Sequence, residues 1–281
     1  MAIGGCDLLN TTNEPTTVDE VAVNYDALGA SDTIGYGGSA PCGLFVTPVC
    51  TSGTGYVQQV TRRLVSAGKE VTLQNLGVPG AVLSPETQGV LESLGGCAVG
   101  GFNICRNVMV DEAPYVQKTS TLVTIFIGAN DANALLRKIR TGQIGASETT
   151  YIQDQVAKFG RDMETVVATI RGRSATAKIV ALNLPNMANT PYAAGLPASE
   201  KRALQQMTVG FTAGINALTS KGVTVVDLMC DGNFYNPSFF SSDGFHPSDT
   251  GYAYLTDVVY AAATSASAPT PPSSCSIMTK F

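Results

Sequence analysis

The 281-residue chain has a single histidine, His246, in the stretch "SSDGFHPSDTGY", three positions after Asp243. An acid at that distance, in a loop bounded by Gly and Pro, can accept the imidazole Nδ1–H. That leaves Nε2 free to take a proton. The proton would come from Ser31, in "ALGASDTIG", just past an apolar alternating run. A serine nucleophile needs such a base, a group to orient the base, and donors for the developing oxyanion. Two further stretches offer donors: "NLGVPGAV", with Gly77 and Gly80, and "FIGANDAN", with Asn130. Each residue also has a plainer reading. Ser31, Asn130 and Asp243 fit helix caps, Gly80 fits a turn glycine, and a lone histidine is ordinarily structural. Their joint occurrence in this order favours the chemistry.

The elements around these residues explain how they could meet. Apolar, β-branched runs at Val21–Leu28, Val71–Leu76, Thr121–Ile127, Lys178–Leu184 and Val223–Leu228 read as strands. Helical spacing appears between them, at Tyr56, Val60 and Leu64, and again from Ile152 through Phe159 and Met163 to Ile170. A short helix is expected over Ser84–Leu94, another over Ala203–Leu218 with Ser199 as its cap, and a last one from about Pro247. Strands alternating with helices predict a parallel sheet covered on both faces, wound right-handedly into a doubly wound α/β sandwich. Ligands of such sheets bind beyond the carboxyl ends of the strands, and Ser31 follows the first of these. Residues 1–20 read as a polar leader or tether and 21–264 as the folded domain. Residues 265–281 read as a Pro/Ser-rich surface tail that Cys275 could tether.

Composition narrows the partners. A formal net charge of −5 argues against nucleic-acid binding, and no apolar run reaches the ~18–20 residues of a membrane span. Of the seven cysteines, Cys42 and Cys50 share one spacing with Cys97 and Cys105, while Cys230 and Cys275 stand apart. Six cysteines grouped in this way suggest three disulfides and an oxidising compartment, although buried reduced thiols would give the same count. With one histidine and no C-x-x-C, no metal site is expected. Cys6, after "AIGG", resembles the lipidated cysteine of a bacterial lipoprotein; the alternative is a disordered N-terminal thiol. The expected location is therefore extracytoplasmic: secreted, periplasmic or lipid-anchored, with membrane attachment only through Cys6.

"GAS" at Gly29–Ser31, "NLGVPG" ending in Gly80, "GAND" with Asn130 and "DGFH" with Asp243 and His246 stand in the order of the SGNH hydrolases, also called GDSL esterases/lipases. The chain resembles that family over about residues 21–264. The resemblance implies a flavodoxin-like three-layer α/β/α fold with a central parallel sheet of about five strands, and serine-ester chemistry without a cofactor. It assigns Ser31 as nucleophile, His246 as base and Asp243 as the acid behind it. The Ser31 N–H, the Gly80 N–H and the Asn130 amide would form the oxyanion hole. One position departs from the pattern: Ala30 stands where the family has Asp, and an acid follows instead at Asp32. Asp32 is expected to cap the next helix.

The expected reaction is hydrolysis of carboxylic esters, of small molecules or lipids, through an acyl-enzyme. A carbohydrate O-deacetylase is the alternative, weakened by the absence of Trp. A non-catalytic envelope binding protein is the third reading, motivated by the altered "GAS" block. The apolar loops "CGLFVTPVC" and "CAVGGFNIC" suggest disulfides Cys42–Cys50 and Cys97–Cys105 that present Phe45 and Phe102 as walls of an acyl pocket. Equally, these loops could cover the edge of the core.

Overall fold

Five of the hydrophobic runs fold into strands and the segments between them into helices, as the periodicities require. The computed structural model describes residues 22–43, 50–99, 102–267 and 269–281. Cys6 and Phe45 lie outside the described residues. In chain order the elements are β1 (Ala22–Gly29), α1 (Tyr56–Ser66), β2 (Glu70–Asn75), α2 (Pro85–Ser93), β3 (Ala98–Val99), β4 (Phe102–Asn103) and α3 (Val108–Asp111). They continue with β5 (Leu122–Phe126), α4 (Ala129–Arg140), α5 (Glu148–Arg173), β6 (Lys178–Leu182), α6 (Ala198–Ala217), β7 (Thr224–Val226) and α7 (Asp249–Thr264).

The main sheet is parallel throughout, in the order β2-β1-β5-β6-β7. The chain winds outward from β1 in one direction and then from β5 in the other. The crevice at this reversal, beyond the carboxyl ends of β1 and β5, is where ligands bind in such sheets. Helices α1 and α7 pack together, and α6 packs against both α4 and α5, where Phe159 and Phe211 stack at 4.0 Å. Every side chain of β5 is buried, as a central strand covered on both faces requires. Leu28, Ile125, Ile179 and Phe211 are among the buried residues of one continuous core; each contributes about 1.5–3 kcal/mol of transfer free energy.

Cys42–Cys50, Cys97–Cys105 and Cys230–Cys275 are disulfides. Cys97 and Cys105 bracket the small β3–β4 ribbon, in which Phe102 lies. The C-terminal segment is anchored more firmly than its composition suggests. Beyond Cys275, Asn186 Nδ2 donates to the Ile277 carbonyl at 2.7 Å, and Gln205 exchanges two hydrogen bonds with the backbone of Phe281. Two expected caps are placed differently. Helix α6 starts one turn earlier than its apolar spacing indicates, with Pro197 as the residue before it, so Ser199 lies inside the first turn. Helix α7 begins at Asp249 and is capped by Ser248, whose Oγ accepts the Gly251 N–H. Among the described residues no helix is long and apolar enough to cross a membrane.

Candidate active site

Strand β1 ends in Gly29, whose φ of +144° is open only to glycine. A Cβ there would lie 2.2 Å from the Phe126 carbonyl oxygen of the neighbouring strand. The chain turns at this point into a single 3₁₀ turn, Ser31–Ile34, closed by Gly35 in the left-handed region. Thr33 fixes the turn: its hydroxyl donates to the Ala30 carbonyl, and its own carbonyl accepts from Gln58 Nε2 and Asn75 Nδ2. Ser31 is thereby held at the carboxyl end of the sheet. Its Oγ lies 2.8 Å from His246 Nε2.

His246 comes from the loop before α7. Its Nδ1 lies 2.6 Å from Asp243 Oδ2. The other carboxylate oxygen, Oδ1, accepts from the Ser241 hydroxyl and from the N–H groups of Phe245 and His246. Burial raises the pKa of Asp243, but these four hydrogen bonds, led by that from His246, outweigh it and bring the value down to about 2. An ionised carboxylate can only accept, so Nδ1 carries the proton and Nε2 presents its lone pair to Ser31. Tyr36 and Phe245 meet the imidazole edge-on at 4.7 and 4.9 Å. Asp243 thus ties its loop to His246 rather than capping α7.

Gly80 has φ +80°, with open space where a Cβ would stand. Among the described residues, neither its N–H nor that of Ser31 has a hydrogen-bond acceptor. Asn130 lies in the first turn of α4, behind Gly128 at the cap position. Its Nδ2 donates to the Ala81 carbonyl at 2.9 Å, which ties α4 to the Gly80 loop and leaves the second amide hydrogen unused. Asp131 next to it is buried and accepts the Leu83 N–H at 3.0 Å, bracing the same loop.

Three features of the site had no clear signal in the sequence. Glu112, at the end of α3, is fully buried, and its Oε2 accepts the Gly29 N–H at 2.7 Å. Burial pushes its carboxyl well above the usual range; hydrogen bonds from the Gly29 and Val78 backbone offset this only partly. Ala30, where the family pattern has Asp, packs into the apolar core instead. Asp32 is the acid in the first turn of the 3₁₀ turn, whose N-cap position is held by Ala30. It lines a narrow apolar pocket of about 30 Å³ with Phe126, Leu184 and Phe245. Burial raises the pKa of Asp32, while the nearby His246 draws it down.

The model of the GDSL-like lipase/acylhydrolase family matches residues 27–254. No curated protein matches the sequence. Solved structures share the fold. A lipase, Lip_vut3, from a goat rumen metagenome is 20% identical with a TM-score of 0.56, the match covering 85% of this chain and 97% of that one. A phospholipase A1 from Streptomyces albidoflavus NA297 is 20% identical with a TM-score of 0.55, over 86% of this chain and 100% of that one. An extracellular lipase from Streptomyces rimosus is 19% identical with a TM-score of 0.52, over 85% and 99%.

Proposed function

The chain belongs to the GDSL-like lipase/acylhydrolase family, and from that premise we propose that it is a serine esterase working through Ser31, His246 and Asp243. The observation that supports this most is the unbroken relay from Ser31 Oγ to His246 Nε2 and from His246 Nδ1 to Asp243, at 2.8 and 2.6 Å. His246 Nε2 takes the Ser31 proton as Oγ attacks the ester carbonyl carbon. The carbonyl oxygen gains negative charge and is received by the Ser31 N–H, the Gly80 N–H and the free amide hydrogen of Asn130. His246 then returns the proton to the departing alkoxide, leaving an acyl-Ser31 ester. Water, activated by the same imidazole, releases the acid.

Two recesses flank this centre. The pocket beside Asp32 is small, whereas a cleft of about 170 Å³ opens from Gly80 and Asn130 past Leu91 and Ile104. The larger, partly apolar cleft favours esters with a chain longer than acetyl, including lipid esters. The relatives described as lipases and as a phospholipase A1 agree with this choice. A polysaccharide O-deacetylase is the second reading, favoured by the tightness of the pocket beside Asp32. The three disulfides support an extracytoplasmic location.

Hydrolysis of p-nitrophenyl esters from acetate to decanoate tests the proposal. Turnover that rises with chain length and disappears in Ser31→Ala is expected. Turnover of acetate alone selects the deacetylase, and full activity in Ser31→Ala overturns the assignment.

A further inference from the structure

Among the described residues the polar side chains that line the larger cleft are two carboxamides and a guanidinium. Asn130, Asn133 and Arg137 occupy positions i, i+3 and i+7 of α4 and therefore share one face. All three line the cleft that begins at Gly80. At 1.5 Å per residue, Arg137 stands about 10 Å along the helix from Asn130. Asn133 is oriented by Tyr192, whose hydroxyl donates to Asn133 Oδ1 at 2.6 Å. That fixes the carbonyl of the carboxamide and leaves its NH₂ to donate elsewhere. Among the described residues the cleft lining contains no carboxylate.

Arg137 is half-buried and, among the described residues, has no hydrogen bond or ion pair. Its neighbour one turn on behaves differently: Arg140 is neutralised by Glu200 through two hydrogen bonds of 3.0 and 2.7 Å. The carboxyl end of a helix favours a cation, which explains why positive charge is tolerated in the last turn of α4. It does not explain why, among the described residues, one guanidinium is paired and the other lines a cleft that begins at Gly80 without a partner. A guanidinium held without a partner, beside a second donor and an apolar wall of Leu91 and Ile104, matches an anionic group on an otherwise apolar chain.

We propose that the cleft is a subsite for an anionic group, carboxylate or phosphate, carried by the ester substrate, with Arg137 as its counter-ion and Asn133 as a second donor. This rests on the esterase reading above, since it places the scissile carbonyl at Gly80 and Asn130. The anion can be attached through the acyl chain or through the alcohol, and matched ester pairs separate the two. On the acyl side, the p-nitrophenyl monoester of suberate, with a free terminal carboxylate, is compared with p-nitrophenyl octanoate. On the alcohol side, 1-butanoylglycerol 3-phosphate is compared with 1-butanoylglycerol.

The expected result is that the anionic-to-neutral ratio of kcat/KM in at least one pair falls tenfold or more in Arg137→Gln, and falls less in Arg137→Lys. Raised ionic strength should weaken the wild-type preference. A ratio that Arg137→Gln leaves unchanged in both pairs overturns the subsite. Calorimetric titration with butyl phosphate reads the subsite without turnover: the wild type should bind it, and Arg137→Gln should bind it at least tenfold more weakly. Equal binding by the two proteins overturns the proposal even if no ester is hydrolysed. Loss of all turnover with butyl phosphate binding intact instead counts against the esterase reading.

Discussion

Glu112 Oε2 accepts the Gly29 N–H at 2.7 Å, across 83 residues of sequence. This bond joins the end of α3 to the backbone two residues before Ser31, where β1 breaks into the 3₁₀ turn. The Gly29 carbonyl in turn accepts the Val78 N–H at 3.1 Å, in the loop that leads to Gly80. Ser31, the proposed nucleophile, and the loop carrying Gly80, the proposed oxyanion donor, are therefore both tied to Gly29, and a buried carboxyl holds that glycine from behind. Ala30 leaves the turn without the acid usual in the family, and Glu112 supplies a carboxyl from elsewhere in the chain.

Glu112→Gln keeps a neutral acceptor for the Gly29 N–H and should retain kcat within about threefold. Glu112→Ala leaves that N–H buried and unpaired, at a cost of about 1–3 kcal/mol of stability. If Glu112 positions the turn, Glu112→Ala also lowers kcat with KM little changed, and the Gln variant restores it. Equal kcat in the Ala variant and the wild type, measured well below the melting temperature, would show that Glu112 serves stability alone.

The proposed relay from Ser31 to Asp243 needs an ionised carboxylate behind His246. With Asp243 lowered to about 2, the carboxylate stays ionised across the working range, so a loss of turnover in mild acid should not come from protonation of Asp243. Asp243→Asn puts an amide that can also donate in place of an acceptor-only carboxylate, so it no longer fixes the tautomer, and should reduce kcat by on the order of 10³–10⁴. A loss below tenfold would remove Asp243 from the relay.

The strands, the parallel sheet and the residues proposed for its rim were legible because each rests on local signals. Alternating apolar runs mark the strands, glycines mark their ends, and the four short blocks fall beyond those ends. Cysteine spacing likewise indicated the two short disulfide loops. Glu112 was not legible. A buried acid has no periodicity, and its partner is a backbone N–H far away in sequence. Ser199 reads as a cap in the sequence because the added first turn of α6, Ala198–Lys201, carries no apolar periodicity, with Ala198 and Ser199 exposed. Arg137 belongs to an ordinary basic helix end in the sequence; only the position of Glu200 beside Arg140 distinguishes the two arginines.

In the proposed reaction Asn130 would serve two ends at once: one amide hydrogen is committed to the Ala81 carbonyl, and the other has no partner among the described residues. Asn130→Ala should lower kcat by about 10²–10³ with a small change in KM, the usual loss of one oxyanion donor. Asn130→Asp retains the shape but donates nothing and should be at least as damaging. If KM alone rises, the amide acts on the ground state and the oxyanion role is excluded.

Asp131 should leave its mark on stability rather than on chemistry. Burial raises its pKa to about 7, with the Leu83 N–H and other hydrogen bonds opposing the rise. In the unfolded chain the carboxyl titrates near 3.9. Between about pH 4 and 7 the native state therefore holds a proton that the unfolded state has lost, and stability falls as pH rises. The slope from this one group is at most about 1.4 kcal/mol per pH unit. Below pH 4 both states are protonated and the contribution is fully present; above pH 7 both are ionised and the slope vanishes. Glu112, also raised by burial, acts in the same direction, whereas the lowered Asp243 destabilises only below about pH 4. Asp131→Asn preserves the acceptor for Leu83 and removes the titration. Urea unfolding at pH 4.5, 5.5 and 6.5 should show a shallower loss of stability in Asp131→Asn than in the wild type. Identical slopes would mean that Asp131 is ionised in the folded protein throughout this range, held by the Leu83 N–H and its other donors strongly enough to overcome burial.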